Sequence, residues 1–388
     1  MTPEDLAERA AEGYVARFGG RPAGVWFAPG RVNLIGEHTD YNQGFVLPFA
    51  LSAGVAAAAG PDSAGPGGGT LAVWSSQEDA AVTVSLDGLQ PGSLHGWAAY
   101  PVGMAWSLAE AGYRIGAMSI AVDSDLAIGA GLSSSAALDC SVGLALTELN
   151  SLEVPRPRLA ALASQAENEF TGAPTGIMDQ SAALLCQAGH ALLLDCRSGA
   201  TEAVPLDPAA AGHVLLVIDT GVRHALTDGR YAARRRSCEA AARALGVTSL
   251  RELTDDPDAI ARLDDPGLRR RAQHVVTENR RVLAAADLLR QGALARVGPL
   301  LTQSHASLRD DFEVSWPQAD VAVDAAIAAG AAGARMMGGG FGGSVVALVP
   351  AAHRDHVEAA VRAACARPGW AALSITEVVP SDAARRLC

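Results

Sequence analysis

The sequence predicts an α+β protein with two domains. Apolar strand-like runs and helical patterns follow one another without the regular alternation of a βαβ sheet. The chain has 388 residues, a length typical of two or three domains, and 49% of its residues are hydrophobic. The stretch Ser198–Gly212 separates two apolar strands and is the best candidate for a boundary. We therefore expect domains over residues 1–204 and 205–388.

The first domain is expected to begin with a helix over Pro3–Phe18, and short apolar runs follow it. Strands are predicted at residues 25–27, 32–35, 45–59, 71–74, 82–84, 119–125 and 190–196, with a break at Pro29-Gly30 and a surface turn over residues 60–69. Helices are predicted at residues 97–111, from the end of a glycine- and serine-rich loop to about 149, at 155–170 and from about Thr175.

The second domain is expected to be more helical. Its predicted helices cover residues 231–245, 268–291 and 300–308, and its predicted strands cover 214–218 and 344–349. A second glycine-rich stretch, Gly338–Gly343, comes just before the last of these strands.

Charge and cysteine content narrow the class of protein. The net charge is −12, which argues against a nucleic-acid or anionic-membrane partner. The six cysteines are scattered without CxxC pairs, so a zinc site is not expected. We expect reduced thiols in a cytoplasmic protein. The acidic N-terminus does not resemble a signal peptide, and no apolar run is long enough to span a bilayer. The sequence leaves the oligomeric state open, with a monomer as one option.

All thirty basic residues are arginine, so the chain has no lysine. A Walker A loop, a protein-kinase active site and a pyridoxal Schiff base each require one, and these three classes are excluded. Compositional bias accounts for the missing lysine, but the chemical exclusion holds. If the chain binds ATP, backbone amides, arginine and a metal ion must offset the phosphate charge.

The loop Gly129–Ser135 lies between a predicted strand and a predicted helix. Backbone N–H groups at a helix N-terminus form an anion site, and glycines allow close approach of a ligand. The spacing differs from the GxGxxG fingerprint of dinucleotide-binding folds. Taken alone, the loop could equally be a tight turn.

Two isolated acids are ambiguous. Asp179 follows Thr175, a candidate N-cap, and would lie in the first turn of a helix, where an acid either complements the helix dipole or serves as a base. Glu167, near the end of the preceding helix, would ordinarily be a solvated residue. The segment Gly30–Asn42 collects Arg31, Glu37 and neighbouring polar residues between apolar runs, which a simple polar turn explains poorly.

Taken together, these segments resemble the galactokinases of the GHMP kinase superfamily from about Ala28 to about Val349. The matching stretches are GRVNLIGEHTDYN, GAGLSSSAA, QAENEF, PTGIMDQ, GGGFGGSVVALV, Tyr231 with Arg234–Glu239, and Ser304–Ser315. The first stretch is specific for galactokinases, whereas the two glycine-rich loops are shared more widely. The resemblance implies a two-domain fold with the active site in the interdomain cleft, ATP as co-substrate, Mg²⁺ as cofactor and galactose as acceptor.

The resemblance also implies residue roles. It makes Asp179 the base and Arg31 its neighbour, and it makes Ser135 and Glu167 the metal ligands. The sugar pocket would contain Glu37, His38, Thr39, Asp40, Gly176 and Tyr231. The nucleotide would contact Ser75 and the triphosphate loop Gly129, Ala130, Gly131, Leu132, Ser133, Ser134 and Ser135. The Gly338–Gly343 loop is expected behind the site, and Asp310 and Asp311 are read as structural.

Three positions depart from the galactokinase pattern: Gln43, Thr175 and the alanines after Tyr231. The last departure bears on the identity of the sugar. Two other functions stay open at this point. One is a superfamily kinase for mevalonate, homoserine or another sugar, and the other is a sugar-sensing regulator without catalysis, which a turnover assay would distinguish.

Overall fold

The computed structural model of the protein describes residues 1–61, 69–127, 129–223 and 229–388, and most of the predicted turn at residues 60–69 lies outside them. The helices are α1 (Pro3–Phe18), α2 (Ala99–Glu110), α3 (Ser134–Leu149), α4 (Arg156–Gln165), α5 (Met178–Leu185), α6 (Arg230–Leu245), α7 (Pro266–Arg290), α8 (Gly298–Asp310), α9 (Pro317–Ala328) and α10 (Arg354–Cys365). The strands are β1 (Gly24–Asn33), β2 (Phe45–Val46), β3 (Pro48–Pro61), β4 (Thr70–Ser75), β5 (Glu78–Ser85), β6 (Met118–Ser124), β7 (His190–Asp195), β8 (Thr201–Pro205), β9 (His213–Asp219), β10 (Gly333–Met336), β11 (Ser344–Pro350), β12 (Ser374–Val378) and β13 (Arg385–Arg386).

Among the described residues, the strands form three sheets. A six-stranded sheet has the order β13-β1-β3-β6-β4-β5, in which β4 and β6 are parallel and the other neighbours antiparallel. A four-stranded antiparallel sheet has the order β10-β11-β9-β12, and a three-stranded sheet has the order β2-β7-β8. Mixed sheets and helices without βαβ repetition confirm the α+β prediction.

The first strand is longer than predicted. Apolar residues before and after Pro29-Gly30 belong to one continuous strand, β1, which pairs with β3 from Gly24 to Asn33. The predicted break is a register shift: β1 advances by two residues from Pro29 to Arg31, whereas its partner β3 advances by four, from Gly54 to Ala50, so the extra residues lie in β3. Such an irregularity interrupts the regular pairing without ending the strand, so β1 continues through Arg31 to Asn33.

Two large apolar clusters form the core. One packs the six-stranded sheet against α2, α3 and α4 and also includes part of α7, while the other surrounds β9, β11, α9 and α10. Leu215 and Val217 of the predicted second domain enter the first cluster, and β8 reaches Pro205. The boundary after residue 204 stays a prediction.

No helix in the described part of the chain is long and apolar enough to cross a membrane. The six cysteines are all free thiols.

Candidate active site

A cleft of about 480 Å³ gathers most of the residues predicted to carry function. Its walls include Arg31, Glu37, His38, Asp40, Ser75, Gly129, Gly131, Leu132, Ser133, Ser134, Ser135, Glu167, Gly176, Asp179 and Tyr231. Two predicted residues, Thr39 and Ala130, do not line it and are fully buried. The Thr39 hydroxyl lies 2.8 Å from the carbonyl oxygen of Gly36 and 2.7 Å from that of Phe45, so this residue holds the segment in shape from behind.

Arg31 and Asp179 form a bidentate pair at the centre of the cleft, although 148 residues separate them in sequence. Arg31 Nε and Nη2 donate to the two carboxylate oxygens of Asp179 over 2.9 and 3.0 Å. Strand β1 supplies Arg31, just after the register shift, and the first turn of α5 supplies Asp179. Planar guanidinium and carboxylate groups match in this geometry, which fixes both side chains.

The loop before α3 is shaped by its backbone conformation. Gly129, Gly131 and Ser133 have φ values of +71°, +78° and +59°, and α3 begins at Ser134, inside the predicted loop. Ser133 precedes the helix without capping it through its side chain. Its hydroxyl instead donates to Asp179 over 2.5 Å, which joins the loop to the Arg31–Asp179 pair. The N-terminus of α3 therefore opens into the cleft, as an anion site requires.

Glu167 lies in a short π-helix, Ala166–Phe170, that follows α4, where the sequence predicts a continuous α-helix. π-Helical turns inside α-helices often occur at functional sites, because they change which side chains face a cleft. The Glu167 carboxylate accepts hydrogen bonds from Ser135 (2.8 Å), Thr175 (2.8 Å) and Gln180 (2.7 Å). Burial, followed by the nearby Asp179 charge, raises the pKa of Glu167. The residue is not the solvated acid that its position alone suggests.

The predicted capping role of Thr175 is wrong. Helix α5 begins at Met178 with Ile177 at the N-cap position, and no side chain caps it. The Thr175 hydroxyl is used by Glu167, which explains why it does not serve the helix. Asp179 nevertheless lies in the first helical turn, as predicted.

At the opposite end of the cleft, the segment Glu37–Asn42 is compact and largely buried. His38 has a φ of +62° and its Nδ1 lies 2.8 Å from the Tyr41 hydroxyl. Burial and then the proximity of His274 lower the pKa of His38 to about 3, so the imidazole is neutral. Gln43, one of the departures, adopts φ +57°, a conformation that a glycine would adopt at lower cost.

Asp40 contacts the chain on two sides. Its Oδ1 accepts a hydrogen bond from the Tyr41 backbone N–H over 2.9 Å. A Cβ atom at Gly176 would lie 2.0 Å from its Oδ2, so the carboxylate requires a glycine there. Burial, followed by the charges of Asp179 and Glu37, raises the pKa of Asp40 to about 7.

The late glycine-rich loop packs behind the loop Gly129–Ser135 and also reaches the cleft wall with Gly338, Gly339 and Gly342. The hydroxyl of Ser344, at its end, donates to the carbonyl oxygen of Ala130 over 2.7 Å. Asp310 and Asp311 lie elsewhere: the first pairs with Arg309, and the second accepts a hydrogen bond from Ser307.

Sequence reasoning missed an apolar part of the cleft formed by Val55, Trp97, Tyr100 and Leu138. These residues belong to no polar motif, and aromatic residues at the start of a helix are usually core residues. It also missed Asp139, one turn after Ser135 on α3. That carboxyl group is fully buried without a hydrogen-bond partner among the described residues, and burial raises its pKa well above the usual range.

Family models match three parts of the chain. The galactokinase galactose-binding signature matches residues 12–61, the GHMP kinase N-terminal domain matches 99–187 and the GHMP kinase C-terminal domain matches 285–367. The first match includes the compact segment around Asp40, and the second includes both Ser135 and Asp179.

Related proteins extend over nearly the whole length. A galactokinase of Streptomyces coelicolor is 47% identical, covering 99% of each chain, and one of Mycobacterium tuberculosis is 44% identical, covering 92% of this chain and 98% of the other. The crystal structure of Lactococcus lactis galactokinase complexed with galactose superposes with a TM-score of 0.92 at 31% identity, covering 98% and 99%. Methanococcus jannaschii mevalonate kinase shares the fold alone, with a TM-score of 0.67 at 15% identity. The chain therefore belongs to the galactokinase family of ATP-dependent sugar kinases, within the GHMP kinase superfamily.

Proposed function

We propose that this chain transfers the γ-phosphoryl group of ATP to the anomeric hydroxyl of D-galactose, giving galactose 1-phosphate and ADP. The observation that carries the proposal is the position of Asp179. Its carboxylate lies between the compact sugar-motif segment and the loop before α3, and it is held there by Arg31 and Ser133. A group at this junction can contact a sugar hydroxyl and the γ-phosphoryl group that this hydroxyl attacks.

The sugar end is suited to recognise a pattern of hydroxyl groups. Asp40 and Glu37 offer carboxylate oxygens, neutral His38 offers a ring nitrogen, and Tyr231 offers a phenol. The His38 ring also lies by the Gly339 backbone and packs against the rings of Tyr231 and Phe312, so its orientation at this end of the cleft is fixed.

The other end is suited to ATP. The loop Gly129–Ser135 and the N-terminus of α3 would bind the triphosphate through backbone N–H groups. The apolar wall of Val55, Trp97, Tyr100 and Leu138 would contact the faces of the purine, with Ser75 nearby on the same side of the cleft.

The residues present fit Mg²⁺. Ser135 and Glu167 place a hydroxyl and a buried carboxylate oxygen 2.8 Å apart beside the triphosphate loop. Mg²⁺ in kinases usually takes one or two protein oxygens together with substrate phosphates, and no group of three acidic, histidine or cysteine residues in the described ranges could hold a metal alone. When bound, the ion would offset the charge of the phosphates.

The chemistry then follows from the positions of the side chains. The sugar oxygen forms a bond to the γ-phosphorus as the bond to the β,γ-bridging oxygen breaks, and ADP leaves with that electron pair. Asp179 receives the hydroxyl proton, and Arg31 stabilises negative charge on the phosphoryl oxygens. Transition states of phosphoryl transfer are often loose, so Asp179 orients the hydroxyl before it accepts the proton.

An ADP-release assay across a panel of sugars tests the proposal. Galactose and glucose differ in the configuration of the 4-hydroxyl, and the wrong configuration would leave an oxygen of Asp40 unpaired. Leaving a buried charged group unsatisfied costs on the order of 3 kcal/mol, so we expect glucose to be used about a hundredfold less efficiently. Equal use of the two sugars would contradict the galactose assignment but not sugar-kinase activity.

A further inference from the structure

Arg335 is a fully buried arginine in β10, outside every motif that points to function. Its side chain crosses from the second predicted domain to the first. Nη1 donates to the backbone carbonyls of Asn33 (2.9 Å) and Leu34 (3.2 Å), and Nη2 lies 3.4 Å from Glu37 Oε1. A guanidinium without access to water is costly unless a charge and hydrogen bonds compensate it, so this position calls for an explanation.

Glu37 depends on the same part of the chain. Its Oε1 accepts a hydrogen bond from the backbone N–H of Gly338 over 2.8 Å, and Arg335 supplies the opposite charge. Glu37 lines the cleft but is only 3% exposed. Without Arg335, the Glu37 carboxylate would keep the Gly338 N–H but lose the cation that lies against the same oxygen, and its orientation would be less well fixed.

The segment that follows Arg335 contacts the other half of the cleft separately. Ser344 donates to the carbonyl oxygen of Ala130, in the loop before α3. The stretch 335–344 therefore contacts the sugar-motif segment at its beginning and the triphosphate loop at its end. The two contacts use different side chains, and they can be removed one at a time.

We infer that Arg335 is a positioning residue for sugar recognition, which holds the Glu37 carboxylate in place at the sugar end of the cleft. The inference rests on the proposed function for the identity of the sugar. Ser344 has the equivalent role at the other end of the cleft, where its hydrogen bond to Ala130 supports the triphosphate loop from behind. Loss of Arg335 should then weaken sugar binding, and loss of Ser344 should weaken ATP binding.

The test compares Arg335→Met, Arg335→Lys and Ser344→Ala with the parent enzyme. For Arg335→Met we expect KM for galactose to rise about tenfold while KM for ATP changes less than about twofold, because the lost partner belongs to Glu37. Arg335→Lys keeps a charge but not the planar fork, so its effect should be intermediate. Ser344→Ala should show the opposite preference, raising KM for ATP and not KM for galactose.

A double-mutant cycle with Glu37→Gln separates positioning from general destabilisation. If Arg335 acts through Glu37, adding Arg335→Lys to Glu37→Gln should cost much less sugar affinity than adding it to the parent. Equal changes in both KM values, or fully additive losses, would overturn the inference even if the melting temperature falls. If Arg335→Met does not fold, the Lys variant supplies the same comparison. The proposed function is tested separately, by measuring whether the parent enzyme uses galactose. If the parent enzyme accepts a different sugar instead, the KM values of the variants are compared on that sugar.

Discussion

The two ends of the cleft are built in different ways. At the sugar end, Glu37, His38 and Thr39 are at most 3% exposed, and Asn42 and Thr39 hold the backbone by side-chain hydrogen bonds. At the phosphate end, the loop Gly129–Ser135 is mostly half-buried and takes its shape from left-handed backbone conformations. One end buries polar side chains before any ligand binds, whereas the other exposes backbone groups.

The two proposed ligands account for this difference. A sugar is neutral and is distinguished from its isomers by the directions of its hydroxyls, which rigid, desolvated acceptors can detect. A triphosphate brings its own charge and a metal ion, so exposed N–H groups and a few oxygen ligands suffice. Changes at the sugar end should therefore affect substrate choice, and changes at the phosphate end should affect the requirement for metal and ATP.

Asp179 lies where the two ends meet, and its substitution should have the largest effect. Asp179→Asn keeps the shape but removes the charge that accepts the proton, so we expect kcat to fall roughly a thousandfold while ATP still binds. Steady-state kinetics and ATP titration would measure the two properties. Asp310→Asn, a change at an exposed acid paired with Arg309, serves as the matched control and should leave kcat unchanged. Parent-like turnover of folded Asp179→Asn would remove Asp179 from the mechanism.

The sugar end is tested by Asp40→Ala, which we expect to lower kcat/KM for galactose about a hundredfold, with little change in ATP binding. Gly176→Ala should have a similar effect for a steric reason, because its Cβ would overlap the Asp40 carboxylate. In the Asp40→Ala background, Gly176→Ala should then cost less, because only the contact with the Cβ of residue 40, at 2.8 Å, remains. Additive losses would show that Gly176 acts independently of Asp40.

The sequence predicted the parts of this site better than their arrangement. The motif around Asp40 and the loop Gly129–Ser135 are contiguous, and their polar and glycine patterns are visible in one dimension. The Arg31–Asp179 pair is not visible in this way, because it joins a strand residue to a helix start 148 residues away in sequence. Only the resemblance to galactokinases placed these residues together.

Other features have no distinct sequence pattern. The π-helix at Glu167 continues the periodicity of α4, and the wrong N-cap at Thr175 arose because a threonine before a helix usually caps it. Trp97 and Tyr100 look like core aromatics, and Arg335 is a single arginine among apolar residues. In each case the role is set by neighbours distant in sequence.

At the phosphate end, Glu167→Gln should raise the Mg²⁺ concentration needed for half-maximal activity. Removing a group that only supports a metal ligand lowers metal affinity roughly tenfold to hundredfold, so loss of a ligand itself should raise the required Mg²⁺ concentration by at least that factor. Ser135→Ala should act in the same direction but more weakly, because a neutral hydroxyl contributes less than a carboxylate. Galactose affinity without ATP should not change in either variant. Magnesium titrations that overlay the parent would show that these residues are not the ligands.

The smallest expected effect concerns pH and again separates the two ends. The pKa of Asp40 is raised to about 7, so its carboxylate is about one-tenth ionised at pH 6 and about nine-tenths ionised at pH 8. Only the ionised form accepts hydrogen bonds through both oxygens, so the dissociation constant for galactose should fall roughly tenfold over this range.

The same shift has the opposite consequence for folding without sugar. A raised pKa means that the folded chain holds a proton that the unfolded chain releases near pH 4, so this group's contribution to stability is lost as the pH rises through 7. The melting temperature of Asp40→Asn should therefore exceed that of the parent by more at pH 8 than at pH 5, and the weak galactose binding of this variant should be independent of pH.

Calorimetric titration with galactose at pH 6, 7 and 8, without ATP, measures the pH dependence of binding. A dissociation constant that does not change with pH in the parent would mean that galactose binding does not depend on ionisation of Asp40, and the sugar end would then lack the burial-controlled charge that sets it apart from the phosphate end.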